Sequence, residues 1–239
     1  MYNIPRPAHS YFVATVLACV VGTAAPCWAQ KPPAAPALPA TIPIFPLEDV
    51  VLFPGMSVPL HIFEPRYRAM MADALKGNRI IGMVELRPGY EPDYERSPSI
   101  FPVGCAGVIS DVTALPNGDY DIVLQAFTKF RITREEASKP YRIAHVTAIP
   151  ERLADKDKPA LHAQRVRIDT LVARAAGRIG LPKIPPGTSD EEVVNGVAQY
   201  ADIDPLDRER LLERDGVLAR AAALIDLLER AIAAIATPP

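Results

Sequence analysis

Cysteine is scarce in this 239-residue chain, which contains only three. Two of them lie within the first 29 residues, and Cys105 is the third. One thiol can form neither an internal disulfide bond nor a zinc site made of several cysteines. The apolar run at residues 103–109 is typical of a strand. We therefore expect Cys105 to be buried, rather than reactive or paired with another chain.

The sequence also lacks the short motifs of common catalytic sites. It has no Gly-x-x-x-x-Gly-Lys-Ser/Thr loop for nucleotide phosphates, no Gly-x-Ser-x-Gly elbow and no His-Glu-x-x-His helix. Asp202 and Asp204 lack the glycine and the terminal glutamate of a calcium loop. Beyond residue 29 the only histidines are His61, His145 and His162. No nucleophile lies in a recognisable strained turn, so we expect no catalytic residue, no metal site and no cofactor.

Neither sign of charge dominates. The chain has 26 Lys and Arg residues against 28 Asp and Glu residues, which gives a formal net charge of −2. The two signs are interleaved, whereas nucleic-acid-binding proteins usually present a basic stripe that neutralises phosphates. We therefore expect no nucleic-acid partner.

The first 29 residues differ in kind from the rest. Arg6 and His9 precede an apolar run at 11–25, and small residues follow at the two positions that a signal peptidase recognises. This pattern predicts a signal peptide over 1–29 and a periplasmic or secreted protein that begins near Gln30. The run is shorter than the ~20 residues of a membrane-spanning helix, so we expect no stable membrane span in the mature chain. An uncleaved membrane anchor and a lipoprotein signal acylated at Cys19 are the alternatives.

Three further segments follow from composition and periodicity. Residues 30–41 are rich in proline and alanine, which predicts an extended linker. Over 42–152 short β-rich runs alternate with turn residues and one helix, which predicts a β domain. Over 153–239 the apolar period is helical, which predicts a bundle that is interrupted at 177–187. The β-rich runs are residues 42–45, 50–53, 58–62, 79–85, 107–115, 120–127, 129–132 and 141–149.

Local sequence signals predict where several secondary-structure elements of the β domain begin or end. Asn117-Gly118 predicts a tight hairpin turn with positive φ angles, and both faces of the following run carry apolar residues, as in a small closed barrel. Pro65 predicts the first turn of a helix, and Gly77 predicts its end in a left-handed cap. The apolar stripe of this helix is predicted to lie in the core.

Two signals fix helix starts in the bundle. Ser189 and Glu192 have the spacing of a capping box, and Asp204-Pro205 predicts a second start. The last helix is predicted over residues 217–235, with one apolar face along its length.

Three segments carry a resemblance to a known family. They are residues 43–75 (PIFPLEDVVLFPGMSVPLHIFEPRYRAMMADAL), 103–132 (VGCAGVISDVTALPNGDYDIVLQAFTKFRI) and 203–213 (IDPLDRERLLE), the last together with the final apolar helix. The first is specific, because its Pro-Leu segment, Phe-Pro-Gly turn and Ile-Phe-Glu-x-Arg-Tyr segment resemble, in this order, the substrate-binding domain of the ATP-dependent protease Lon. The resemblance implies an α+β fold over residues 42–236. In this fold a PUA-like β pseudo-barrel with an inserted helix is followed by a bundle of about four helices.

The resemblance also implies a function. Lon, a peptidase of family S16, binds unfolded or damaged polypeptides and passes them to an ATPase and a Ser-Lys protease. The sequence shows neither of these domains, so we expect a non-catalytic module whose partners are unfolded or extended polypeptides. The alternative is a structural or adaptor protein of the envelope that docks an envelope protein through its bundle. A hydrolase with an unrecognised site is the weaker alternative.

Six residues of the first segment are candidates for peptide contact, through strand addition or groove packing. They are Phe53, Met56, Phe63, Glu64, Arg66 and Tyr67. The four apolar side chains would supply contact surface, and the two charged ones would orient the peptide. A histidine in a pocket beside a serine or a carboxylate would favour the hydrolase. A wide apolar groove without titratable neighbours would favour peptide binding.

Overall fold

In a computed structural model of the protein, the structure describes residues 36–94, 96–175 and 184–236, without the side chains of residues 235 and 236. The predicted signal peptide at 1–29 lies outside this range, as do residues 30–35 of the predicted linker and residues 177–183 of the predicted interruption. Among the described helices, none combines the length and the apolar character that crossing a membrane requires.

The described residues form six strands and five α-helices. The strands are β1 (Thr41–Leu47), β2 (Ser57–Ile62), β3 (Ile80–Leu86), β4 (Ile100–Ala114), β5 (Tyr120–Glu136) and β6 (Ile143–Ile149). The helices are α1 (Pro65–Lys76), α2 (Lys158–Arg174), α3 (Asp190–Tyr200), α4 (Pro205–Leu212) and α5 (Gly216–Ala236). Single 3₁₀ turns occupy Glu91–Asp93 and Asp155–Asp157. Strands with one inserted helix thus precede a run of four helices, which confirms the predicted α+β class.

Five strands close into a barrel, and β2 is attached to its outside. The strand order is β5-β4-β3-β1-β6, and β6 pairs back onto β5. All neighbours are antiparallel except β1 and β3, which are parallel. Closure depends on the 17 residues of β5, since its first half pairs with β2 and its second half, from Lys129, pairs with β6. The closed order confirms the pseudo-barrel.

In the barrel interior, one aromatic ring packs closely against two glycines of neighbouring strands. The Phe130 ring of β5 is fully buried there. A Cβ atom added to Gly82 of β3 would lie 2.7 Å from this ring, and one added to Gly104 of β4 would lie 2.8 Å from it. The other interior residues are aliphatic: Ile42, Ile44, Ile80, Val84, Ala106, Ala144 and Val146. The strands therefore enclose a packed core and not a channel.

Helix α1 covers the opposite face of the same strands. Its buried side chains are those of Tyr67, Met70, Met71 and Ala74, which confirms that its apolar stripe is core. Cys105 of β4 lies in the same cluster and is fully buried, as predicted. Burial raises the pKa of its thiol far above the ordinary value, so the sulfur stays neutral and a poor nucleophile.

The hairpin between β4 and β5 is confirmed, but its predicted turn geometry is wrong. Only Gly118 has a positive φ angle, of 87°, whereas Asn117 has not. The Gly118 N–H donates to the Leu115 carbonyl at 2.9 Å, and the Leu115 N–H donates to the Asp119 carbonyl at 2.9 Å. This is a three-residue loop with a bulge at glycine, because Pro116 fixes a negative φ angle and starts an ordinary turn.

The predicted left-handed cap of α1 is also wrong. Gly77 ends the helix, but its φ angle is −103°. The positive φ angle, of 61°, belongs to Arg79. The N–H groups of Gly77 and Arg79 both donate to the Ala74 carbonyl, at 3.0 and 3.1 Å. The left-handed residue therefore comes two positions after the predicted one.

Residues 50–53, predicted as a strand, form a loop instead. Their backbone is bonded to side chains, since the Phe53 N–H donates to Gln199 Oε1 at 3.0 Å. The side chains alternate between two cores. Val51 and Phe53 lie in the bundle cluster, whereas Leu52 lies in the cluster beneath α1. The strand-like alternation of these side chains therefore comes from a loop that lies between the bundle cluster and the cluster beneath α1.

The four C-terminal helices share one core. Ser189 and Glu192 form both bonds of the predicted capping box, and Asp204 caps α4 at the predicted start, with Leu206 N–H as donor. Helix α5 buries five residues of its apolar face: Val217, Ala221, Leu224, Ile225 and Leu228. The barrel contributes Val103 to the same cluster, so the two parts share buried surface.

Candidate functional site

The six candidate residues occupy three different environments. Phe53 and Tyr67 are buried, in the bundle core and beneath α1 respectively. Met56 is half-buried and packs against both cores. Glu64 and Arg66 are half-buried, and Phe63 is exposed. The structure thus brings Phe63, Glu64 and Arg66 together at the corner between β2 and α1, whereas Phe53 and Tyr67 are only 0% and 5% exposed.

Phe63 is the most exposed large apolar residue among the described residues, at 60%. It directly follows β2, and its ring stacks on the His61 ring with 5.9 Å between centroids and 21° between planes. The imidazole Nδ1 lies 2.7 Å from Asp121 Oδ1 on β5, which fixes the ring in place. We call His61 and Phe63 the aromatic ridge. It offers an apolar surface of fixed shape beside a strand edge.

That strand edge is largely closed to strand addition. The Met56 carbonyl accepts the Ala126 N–H at 2.8 Å, so alternation directs the backbone groups of Ser57, Pro59 and His61 to the outer side of β2. The Ser57 carbonyl already accepts hydrogen bonds from Gln199 and Tyr200 of α3, at 3.2 and 2.7 Å. Pro59 has no N–H to donate. Only His61, next to Phe63, keeps both backbone groups on this edge.

Glu64 and Arg66 hold the loop between β3 and β4 against the start of α1. They form an ion pair with an N–O distance of 2.8 Å. The Arg66 guanidinium lies 4.8 Å from the centroid of the Tyr67 ring and 4.7 Å from that of the Tyr94 ring. It also donates to the Tyr94 carbonyl at 2.9 Å, and the Tyr94 hydroxyl donates to Glu64 at 2.6 Å. Burial and the bond to Glu64 raise the pKa of Tyr94, so its hydroxyl remains a donor.

A cleft of about 390 Å³ lies beside this cluster. We call it the tyrosine cleft, and its lining residues are Leu47, Glu48, Leu86, Tyr90, Glu91 and Tyr94. The parallel pairing of β1 and β3 brings Leu47 and Leu86 to one end of the sheet, where the following loop supplies the tyrosines. The sequence prediction missed this cleft, although two tyrosines four residues apart in a proline- and glycine-containing loop are a recognisable signal.

A second cleft, of about 400 Å³, lies at the junction of barrel and bundle. Its lining includes Lys129, Glu151, Glu191 and Glu192. These titratable groups distinguish it from the wide apolar groove that the sequence analysis named as favouring peptide binding. Carboxylates also lie in the tyrosine cleft and beside the aromatic ridge, so none of these sites is a groove without titratable neighbours. The ridge and the tyrosine cleft are the candidate binding surface because they adjoin the corner formed by Phe63, Glu64 and Arg66.

Each histidine beyond the predicted signal peptide lies next to a carboxylate; His61 and His162 are exposed, and His145 is half-buried. His145 Nδ1 lies 3.3 Å from Thr41 Oγ1, and its Nε2 contacts Glu136. The Arg134 guanidinium lies 2.7 Å from the same Nε2. Neither cleft described above is lined by a histidine. Within the described ranges no three His, Cys, Asp or Glu side chains are grouped so as to bind a metal ion.

Comparison with known proteins identifies one family. The model of the ATP-dependent protease La (LON) substrate-binding domain matches residues 41–230. Lon protease of Cytophaga hutchinsonii is 25% identical over 204 residues, which are 81% of this chain and 24% of that protein. Lon protease 1 of Herpetosiphon aurantiacus is 26% identical over 202 residues, with the same two shares. The chain thus spans about a quarter of the length of these relatives.

Two solved structures have the same fold. The N-terminal domain of Mycobacterium avium complex Lon protease superposes with a TM-score of 0.57 at 19% identity, over 79% of this chain and 98% of that one. The Lon N-terminal domain protein from Xanthomonas campestris gives a TM-score of 0.54 at 20% identity, over 78% and 97%. These likenesses confirm the predicted fold.

Proposed function

The chain belongs to the Lon substrate-binding domain family, and from this membership we propose that it is a non-catalytic module that binds unfolded or extended polypeptides. The matched region is the substrate-binding part of the relatives and excludes their ATPase and protease parts. The observation that carries the proposal is Phe63, an apolar ring exposed at the corner of β2 and α1 and fixed by His61. Rigid aromatic side chains of this kind dominate the energy of many protein interfaces.

The binding proposal is tested with a fluorescently labelled unfolded protein, such as reduced casein, and the purified protein. We expect Phe63→Ser to weaken binding about five- to thirtyfold, because truncating an aromatic anchor costs about 1–2 kcal/mol. Val166→Ser is the matched control, since Val166 is 51% exposed on α2, in the bundle. If the control weakens binding and Phe63→Ser does not, the bundle is the docking surface and the adaptor alternative is favoured.

The non-catalytic part of the proposal needs its own measurement. Casein incubated for hours with the purified protein, with and without ATP and magnesium, should remain intact. Cleavage without ATP would favour the hydrolase alternative.

We also propose that the protein is exported to the periplasm or secreted, with an envelope protein as a further partner class. The support is the basic, apolar and small-residue order of residues 1–29. Cell fractionation with N-terminal sequencing should find a chain that begins near Gln30 outside the cytoplasm. A lipid on Cys19 would establish the lipoprotein alternative, and an intact Met1 on a cytoplasmic protein would contradict export.

A further inference from the structure

The tyrosine cleft combines aromatic walls with acidic groups. The rings of Tyr90 and Tyr94 lie 6.0 Å apart, inclined by 58°, and Leu47 and Leu86 complete the apolar lining. The Tyr90 hydroxyl donates to Glu48, and this bond raises the pKa of Tyr90 to about 12, so the phenol stays neutral. Glu48 and Glu91 are the charged residues of the lining. Aromatic faces and carboxylates together attract cations that also have an apolar part.

Two basic side chains near the cleft are held elsewhere, and a third, the exposed Arg96, lines a small neighbouring cavity together with Leu86 and Tyr94. Arg66 is bonded to Glu64 and to the Tyr94 carbonyl. Arg87 donates to the Ile100 carbonyl at 2.9 Å, and its guanidinium stacks 4.6 Å from the centroid of the Phe101 ring. Among the residues that the structure describes, neither Lys nor Arg lines the cleft. Within this part of the chain, the negative charge of the cleft is therefore not neutralised by a lining side chain.

Next to the cleft, tyrosine rings and a carboxylate already bind the guanidinium of Arg66. Arg66 lies against the rings of Tyr67 and Tyr94 and is paired with Glu64. Tyr94 belongs to both sites, because it also lines the cleft. Glu64 follows Phe63 in the chain and accepts the Tyr94 hydroxyl, so the cleft adjoins the aromatic ridge.

We propose that the tyrosine cleft binds an arginine or lysine side chain of the polypeptide whose apolar residue packs on Phe63. This inference rests on the proposed polypeptide binding and adds the chemical class of the bound segment. The aliphatic part of the basic side chain packs on the half-buried Leu47, its charged end lies against the tyrosine rings, and Glu48 or Glu91 accepts its hydrogen bonds. The preferred segments carry an apolar and a basic residue close together.

Two fluorescent 12-residue peptides test the proposal with the purified protein. Both contain one phenylalanine, and they differ only in that one has two arginines where the other has citrulline, which has a similar shape but no charge. We expect the arginine peptide to bind about five- to tenfold more tightly. Glu91→Gln and Tyr90→Leu should each reduce this ratio to below about threefold, while Phe63→Ser should weaken both peptides equally.

Asp93→Asn is the matched control, because Asp93 is an exposed acid of the same 3₁₀ turn that does not line the cleft. It should keep the wild-type ratio. Equal loss of the ratio in Asp93→Asn and Glu91→Gln would show diffuse charge attraction and overturn the proposal. Equal affinity of the two peptides, lost in Phe63→Ser, would overturn the cleft and leave polypeptide binding standing. Failure of both peptides and of casein to bind would overturn both proposals.

Discussion

Lys129 Nζ on β5 lies 2.7 Å from Glu151 Oε1, at a position where the lysine side chain is only 1% exposed. The same ammonium donates to the carbonyls of Leu212 and Arg214, at 2.9 and 2.7 Å. Its three donors therefore have three acceptors. The Glu151 carboxylate also accepts from Arg220 of α5, so one half-buried carboxylate joins the barrel to the bundle.

Removing this buried lysine should lower the free energy of unfolding much more than removing a surface lysine does. Lys129→Ala leaves two carbonyls and part of a carboxylate without a donor in a buried site, which typically costs about 3–5 kcal/mol. Urea unfolding should show this loss as a lower midpoint. Lys158→Ala is the matched control, because the pair of Lys158 with Asp155 has the same 2.7 Å separation but lies on the surface. An equal shift in both variants would contradict the role of the buried pair.

The second prediction concerns Gly104, a glycine of the barrel interior. A Cβ atom on Gly104 would lie 2.3 Å from the Met83 carbonyl oxygen and 2.8 Å from the Phe130 ring. Because the backbone must move, Gly104→Ala should destabilise the protein by about 1–3 kcal/mol. Gly196 in α3 meets only Met56 Sδ, at 3.6 Å. Gly196→Ala should therefore be neutral or stabilise the helix by up to about 1 kcal/mol, and thermal unfolding of both variants would test the contrast.

Local features of this fold were predictable from sequence, and the long-range ones were not. The capping box of Ser189 and Glu192 and the helix start at Pro65 involve neighbours in the chain, so spacing alone identifies them. Barrel closure requires the residues from Lys129 onward to extend the strand that begins at Tyr120 and to pair with β6. No local pattern encodes that pairing.

The candidate site shows the same limit. Phe53 and Phe63 occur in one motif-bearing segment, and the sequence gives no means to tell the buried ring from the exposed one. Phe53 is buried because it packs into the core of the helical bundle, and its N–H donates to Gln199, which lies 146 residues later in the chain. The tyrosine cleft depends on the parallel pairing of β1 and β3 across an intervening helix, so its lining is not contiguous in sequence.

The third prediction concerns two buried carboxylic acids near the junction. Glu209 of α4 is 1% exposed, and neither of its side-chain oxygens has a hydrogen-bond partner within the described part of the chain. Burial first, and then the nearby Glu213 and Glu85, raise its pKa to about 8, while Arg87 and Lys129 oppose the shift. Burial likewise raises the pKa of Glu85 of β3 to about 7, although its carboxylate accepts the Asp49 N–H at 3.0 Å. Both acids are therefore expected to be protonated in the folded state below neutral pH.

The folded protein should consequently become less stable as the pH rises through this range. In the unfolded chain both acids have ordinary pKa values near 4.5, so the folded state binds more protons between about pH 5 and pH 8. The stability present at low pH is then lost as each acid is forced to ionise in a buried site. Glu209→Gln keeps the shape without a titrating proton, so it should flatten the pH dependence and be more stable than the wild type at pH 8.5 by about 1–3 kcal/mol. Urea unfolding at pH 5.5, 7.0 and 8.5 measures this difference, with the exposed Glu229→Gln as the control that should keep the wild-type slope. A free energy of unfolding that stays constant or increases from pH 5.5 to 8.5 would show that Glu209 and Glu85 are not held in their protonated forms.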